Sequence, residues 1–236
     1  MRRAGNAAAG SAGGPWRGFA VLLAVSFLTG GCSAAVSGTA VPEGVRPPAR
    51  LDADLAELLP PAESFPARYP AVVLAPPAVA QAAADLTGVP AGATVDPPGC
   101  TPPQHAEDTA IVVGTDEAER ATITVELTRV DQPLDQRRAQ LRRCPDVEVT
   151  GNGTTSTVHS ELLGPPVVNA DDALAVRQTV QSGSGGASLT QSMLTLTAQR
   201  DDVRISATYM TFGGGQPDTA TLDAVFTDAV QRVGGA

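Results

Sequence analysis

His105 and His159 are the only histidines in this 236-residue chain, so acid–base and metal chemistry must begin with them. His105 lies in the polar stretch Gln104-His105-Ala106-Glu107-Asp108. A zinc site wants three or four ligands at recognisable spacing, and neither histidine has such neighbours. Both are expected to be solvated or hydrogen-bonded, and no metal site is expected. His159-Ser160 is not a nucleophilic pair, because neighbours on a strand point to opposite faces. No serine is framed by the Gly-x-Ser-x-Gly elbow of a hydrolase. Asp171-Asp172 and Asp201-Asp202 could offer oxygens to calcium, but each pair sits between strand-like runs and reads as turn acids. Gly213-Gly214-Gly215 precedes a helix whose N-terminus could favour an anion. Asp218 opposes that, and a plain turn is the simpler reading. Asn152-Gly153-Thr154 matches a glycosylation sequon and reads most economically as a hairpin turn. No catalytic residue and no cofactor is expected.

The three cysteines point elsewhere. Cys32 closes Phe27-Leu28-Thr29-Gly30-Gly31-Cys32, after the apolar run 19–28 and an n-region carrying Arg2, Arg3 and Arg17. The run falls within the 7–15 residues or so of a secretory h-region and is too short to span a bilayer. This arrangement resembles a bacterial lipoprotein signal peptide, which implies removal of 1–31 and acylation of Cys32. Leu28 lies one place further back than the usual pattern puts it. Two or more acyl chains anchor stably, at about 0.8 kcal/mol per buried methylene. The alternative is ordinary secretion with Cys32 a stray thiol. In the oxidising compartment that either reading implies, Cys100 and Cys144 most simply form one disulfide. A loop of about 45 residues gives roughly 4 kcal/mol from chain entropy. A redox or metal pair is the rival reading, but neither cysteine lies in a Cys-x-x-Cys.

Residues 33–50 are rich in Ala, Pro, Gly and Ser without hydrophobic periodicity and read as a tether. In polyproline geometry, about 3.1 Å per residue, it would reach up to about 55 Å. Residues 51–236 suit one domain with a single core. All 16 basic residues are Arg; losing Arg2, Arg3 and Arg17 would leave 13 against 25 acids, about −12. Such a surface repels nucleic acid and anionic headgroups, so no nucleic-acid partner is expected. Phe65, Tyr69, Tyr209, Phe212 and Phe226 are the aromatics beyond residue 32, too few for a stacking platform.

These groups must be positioned by short elements. Leu51, Leu55, Leu58 and Leu59 predict a helix over 51–59, stopped by Pro60-Pro61. Residues 65–70 read as a proline-bracketed connector, 71–74 as a short apolar run, 78–86 as an Ala-rich helix, and 95–103 as a loop carrying Cys100. Residues 109–114 predict a strand. Over 119–130, Ala121, Ile123, Val125 and Leu127 alternate with Thr122, Thr124, Glu126 and Thr128, a half-buried antiparallel strand. Asp131 is expected to cap a helix beginning near Pro133, with Leu134 and Leu141 inward, Arg137, Arg138, Arg142 and Arg143 outward, and Cys144 at its end. Strands are expected over 147–149, 155–163, 173–181, 189–199 and 203–212. The clearest helix spans 218–233, where Leu222, Val225, Phe226, Ala229, Val230 and Val233 fall at helical spacing. The fold class is therefore α+β, an antiparallel β-sheet packed against helices and braced by one disulfide.

Cys32, Phe65-Pro66-Ala67-Arg68-Tyr69, the proline-flanked Cys100, the helix-ending Cys144 and the closing strand-strand-helix run resemble an uncharacterised family of actinobacterial lipoproteins. More loosely, the chain is similar to the PknH-like extracellular sensor domain. The resemblance implies an antiparallel sheet backed by helices with a groove for an unknown ligand, and it brings no catalytic residues. The expectation is a non-enzymatic binding or sensing module, lipid-anchored on the outer face of the cell membrane. Its apolar groove is expected between the sheet and the 218–233 helix, holding an envelope metabolite or partner segment. The alternative is a structural or adaptor lipoprotein that recognises another envelope protein by a strand edge or helix face. An envelope hydrolase acting through His159 is a third, weaker reading.

Overall fold

The alternation of β4 (Ala121–Arg129) organises the whole molecule, because its apolar set Ala121, Ile123, Val125 and Leu127 is fully withdrawn from solvent. The computed structural model describes residues 49–103, 106, 108–151, 153–183, 188–212 and 215–236. Cys32, the expected signal segment and nearly all of the tether lie outside these. Around β4 stand β1 (Ala71–Val73), β2 (Thr94–Asp96), β3 (Thr109–Asp116), β5 (Asp146–Gly151), β6 (Thr154–Leu163), β7 (Asp172–Ser182), β8 (Leu189–Arg200) and β9 (Val203–Phe212). They form one nine-stranded antiparallel sheet in the order β1-β3-β4-β9-β8-β7-β6-β5-β2. Helices α1 (Leu55–Leu58), α2 (Pro76–Asp85), α3 (Leu134–Arg143) and α4 (Thr219–Gly234) complete a strand-rich α+β fold.

Register decides what each face of the sheet carries. Val125, Ala207, Leu196 and Ala175 lie side by side across β4, β9, β8 and β7. This apolar face receives α4, whose Leu222, Val225, Phe226, Ala229, Val230 and Val233 are all buried against it, together with Leu55, Phe65 and Tyr69. Burial of each large side chain contributes about 1.5–3 kcal/mol. Asp218 starts α4 by accepting from the Thr221 N–H at 3.2 Å. Gly114 on β3 lets Phe65 approach: a β-carbon there would lie 2.7 Å from Phe65 Cδ1.

The opposite face carries α2 and α3. Val79 and Ala83 of α2 cover Ile111 of β3. Leu134 and Leu141 of α3 cover Leu174 and Val176 of β7. Three long connections cross this face. One, containing α2, runs from β1 at one edge to β2 at the other; the next runs from β2 back to β3; the third, containing α3, runs from β4 to β5. The Cys100–Cys144 disulfide ties the last two together, with Cα atoms 5.7 Å apart. At the outer end of the sheet, Leu51 N–H donates to Asp202 Oδ1 at 2.8 Å. Gly234 at the end of α4 lies so close to Arg200 that a β-carbon would meet its Nη1 at 2.9 Å.

Some expectations change in detail. The first helix is confined to Leu55–Leu58, because the Asp54 carboxylate accepts from Ala56 N–H and begins it there. Asp131 is not the cap of α3: Pro133 holds that place without a side-chain hydrogen bond, and Asp131 is exposed. The 71–74 run and the start of the Cys100 loop become the edge strands β1 and β2.

Candidate functional site

Between α2 and α3 the sheet has no helix over it, and what it shows there is polar. The alternation that sends Val125, Ala207 and Leu196 to the α4 side sends Glu126, Ser206 and Thr197 to this one. With Thr128, Thr195 and Thr208 they floor a cavity of about 730 Å³. Its walls come from the end of α2 (Leu86, Thr87), the Cys100 connection (Thr101, Pro102, Pro103) and α3. The floor is deep: Thr208 is 2 % exposed and Thr197 and Gln178 7 % each. Burying hydroxyls costs free energy unless they are bonded. They pair across strands, Thr195 with Thr208 at 3.0 Å and Thr197 with Ser206 at 3.3 Å. Each hydroxyl has further hydrogen-bonding capacity beyond one such pair.

Four arginines, Arg129, Arg137, Arg143 and Arg204, and the acids Glu126 and Asp131 line the cavity; Arg129 is paired with Asp202 and Arg143 is exposed, which leaves Arg137 and Arg204. Arg204 stands on the floor, its Nη2 donating to Gln132 O at 3.1 Å and Gln199 Oε1 at 3.2 Å. Its Nε is buried with no hydrogen-bond partner among the described residues. Arg137 reaches in from α3, donating from Nη1 to Gln140 Oε1 at 2.6 Å. Among the described residues neither guanidinium forms an ion pair with a carboxylate. Burial first, and then the Arg204 charge, lower the Arg137 pKa to about 10. Burial also lowers that of Arg204, with Glu126 and Asp131 pulling the other way. Glu126 itself accepts from Thr128 Oγ1.

This corrects two expectations. The space between the sheet and α4 is filled core, and the groove lies on the other face, with a polar floor between walls that include Leu86, Pro102, Leu134 and Leu174. Arg137 and Arg138 do not simply face solvent either. Arg137 lines the groove, and Arg138 bonds Asp172 at 2.6 Å and Ala173 O at 3.0 Å. Spacing within a helix says which residues share a side, not where the sheet will lie. Arg204 drew no notice in the sequence, although it begins the polar series Arg204, Ser206, Thr208 on β9. Matching polar series on β4 and β8 were the available signal.

The remaining candidates are dispersed. His159 is exposed on the α4 side of the sheet, its Nδ1 2.6 Å from Asp146 Oδ1. Ser160 points to the groove side and accepts from Gln178 Nε2 at 3.2 Å. His105, Asn152, Gly213 and Gly214 lie outside the described residues. Asp172 pairs with Arg138, Asp202 with Arg129 at 2.9 Å, and Asp171 Oδ2 accepts from Asp201 N–H at 2.8 Å. Among the described residues no three His, Cys, Asp or Glu side chains gather into a metal-binding group.

A second polar cluster lies beside the α4 core. Asp116 accepts from Ala118 and Glu119 N–H at 3.0 and 3.1 Å and from Arg68 Nη2 at 2.9 Å. The Glu119 amide and then Arg68 hold its carboxyl below the ordinary aspartate range against burial. Tyr69 O–H donates to Asp218 at 3.3 Å, and burial with the Asp218 charge pushes its pKa up to about 12. This cluster joins the 65–70 connector to the β3–β4 turn and to α4.

No family model matches the chain, and no curated protein matches it. Similar solved structures include an uncharacterised protein from Mycobacterium smegmatis, the Rv0999 ortholog: 17% identity, TM-score 0.44, covering 77% of this chain and 97% of that one. Another is the extracellular domain of PknH from Mycobacterium tuberculosis, at 11% identity and a TM-score of 0.39, covering 61% and 78% respectively. Neither assigns a role to any residue of this chain.

Proposed function

We propose that the chain is a lipid-anchored, extracytoplasmic binding or sensing module whose groove between α2 and α3 takes a small polar ligand. The observation that carries this reading is the cavity of about 730 Å³ floored by buried hydrogen-bonding side chains. A domain with only a structural role gains nothing from withdrawing so many polar groups from water. The disulfide supports residence in an oxidising compartment. None of the helices among the described residues is long and apolar enough to cross a membrane. Cys32, which closes the lipoprotein-like segment, is the proposed point of acylation, and Cys32→Ser should move the protein from the membrane to the soluble fraction. The mature protein purified from its own envelope should retain a small molecule by native mass spectrometry, or show a saturable thermal shift with envelope extract. A protein that stays empty and indifferent to such extracts refutes the binding reading.

One observation favours the adaptor reading as a second possibility. β1 is an edge strand with Val72 58 % and Val73 52 % exposed, a surface onto which a partner strand could add. Crosslinking in intact cells that yields one dominant protein partner through β1, with an empty groove, would favour it.

A further inference from the structure

We infer that Arg137 and Arg204 form an oxyanion subsite in the groove, which takes the carboxylate or phosphate of a small hydroxylated ligand. The inference rests on the binding reading of the groove and specifies its ligand class. Four observations converge on it. The two guanidiniums come from different elements, α3 and β9, and both line one cavity. Neither has a carboxylate ion-pair partner among the described residues, whereas Arg68, Arg129, Arg138, Arg177 and Arg232 each do. Arg204 Nε is buried and unsatisfied. Each guanidinium carries five N–H donors, and among the described residues the bonded ones are at Nη1 of Arg137 and Nη2 of Arg204.

Like charges brought together in a chain of net charge −9 invite an explanation. Glu126 and Asp131 also line the groove and bear on Arg204, yet Arg137 and Arg204 still repel each other and neither is ion-paired with a carboxylate among the described residues. A bound oxyanion would relieve their repulsion and occupy the vacant donors, bidentately where the geometry allows. Glu126 bears on Arg204 as a charge and accepts from Thr128 at Oε1. The rest of the ligand is constrained by the floor. Thr128, Thr195 and Ser206 offer hydroxyls and no aromatic ring among the described residues lines the cavity, so a ligand rich in hydroxyls fits better than a planar one.

The test is isothermal titration of the full mature protein with glucose 6-phosphate, glucuronate and glucose. At least one charged sugar should bind ten-fold or more tightly than glucose, and its affinity should fall as sodium chloride is raised. The two charged probes separate phosphate from carboxylate preference. Arg137→Gln and Arg204→Gln should each weaken that binding about ten-fold or more. Arg204→Lys, which keeps the charge and guards against a misfolded glutamine variant, should lose less. Arg177→Gln, on the other face and paired with Glu161, should change nothing. Charged probes binding no better than glucose, or binding unaltered in both glutamine variants, overturn the subsite. If envelope extract still gives saturable binding in wild type and variants alike, the groove reading survives that failure. If neither probes nor extract bind, both fall.

Discussion

Two kinds of arginine meet at the groove, one held by carboxylates and one without such an ion pair among the described residues. Arg129 belongs to the first kind. It bonds both oxygens of Asp202 at 2.9 Å, Asp108 at 3.2 Å and Ala53 O at 2.6 Å, with only 13 % of its side chain exposed. It thereby fastens the segment before α1 to the start of β3 and to the β8–β9 turn. Charged hydrogen bonds contribute about 1.5–3 kcal/mol each when a partner is left buried. Arg129→Gln should therefore cost about 2 kcal/mol in urea unfolding. Arg137 is of the second kind, and its substitution should act in the opposite direction. Arg137→Met removes a withdrawn cation that repels Arg204 and keeps the stem's packing. The ligand-free variant should melt about 2–4 °C higher, the shift that about 1 kcal/mol gives in a domain of this size. Stabilisation with loss of binding is the usual signature of a site that function holds at a cost. From the sequence both residues look like surface charges. What separates them is tertiary, since Asp202 lies 73 positions from Arg129 and Arg204 lies 67 or so from Arg137.

At the scale of elements, apolar alternation was readable and polar alternation was not. Ala121, Ile123, Val125 and Leu127 identify β4 and its buried side because only a core explains them. Thr122, Thr124, Glu126 and Thr128 read as solvent-facing, yet Thr124 is 5 % exposed. The cover is supplied from elsewhere, by α2, α3 and the Cys100 connection, which no pattern within β4 can announce. β1 and β2, three residues each, are too short to show a period. The disulfide joins two of the connections that roof the groove, across a separation of 44 residues. Replacing both cysteines with serine should lower stability by about 2–4 kcal/mol. Hydrogen exchange should then speed up chiefly in α3 and residues 97–103, with β4, β8 and β9 little changed. Uniform acceleration across the sheet would show that the bond braces the whole fold and not the roof.

For the whole molecule, the α+β class, the antiparallel sheet, α4 and its six buried side chains, and the cysteine pair were all legible in the residues. The position of the groove was not. A strongly amphipathic closing helix suggests an apolar cleft beside it, but α4 fits its stripe so closely onto Val125, Ala207 and Leu196 that no space is left. The sheet is two-sided, with one face committed to packing and the other left partly open. Nothing in a single chain's pattern reveals that division, because it is decided by where three crossing connections land.

One feature of the outer rim reaches further. Leu51 and Gly234 both abut the β8–β9 hairpin, one through Asp202 and the other through Arg200. Start and finish of the folded body are thus neighbours in space, which favours rewiring of the chain. A short glycine-serine splice from 234 to 51, with a fresh opening at the β5–β6 hairpin, should give a circular permutant with the same circular dichroism spectrum and the same groove. Such a rewired protein would let the hairpin end be carried on a fusion while the native entry point is sealed.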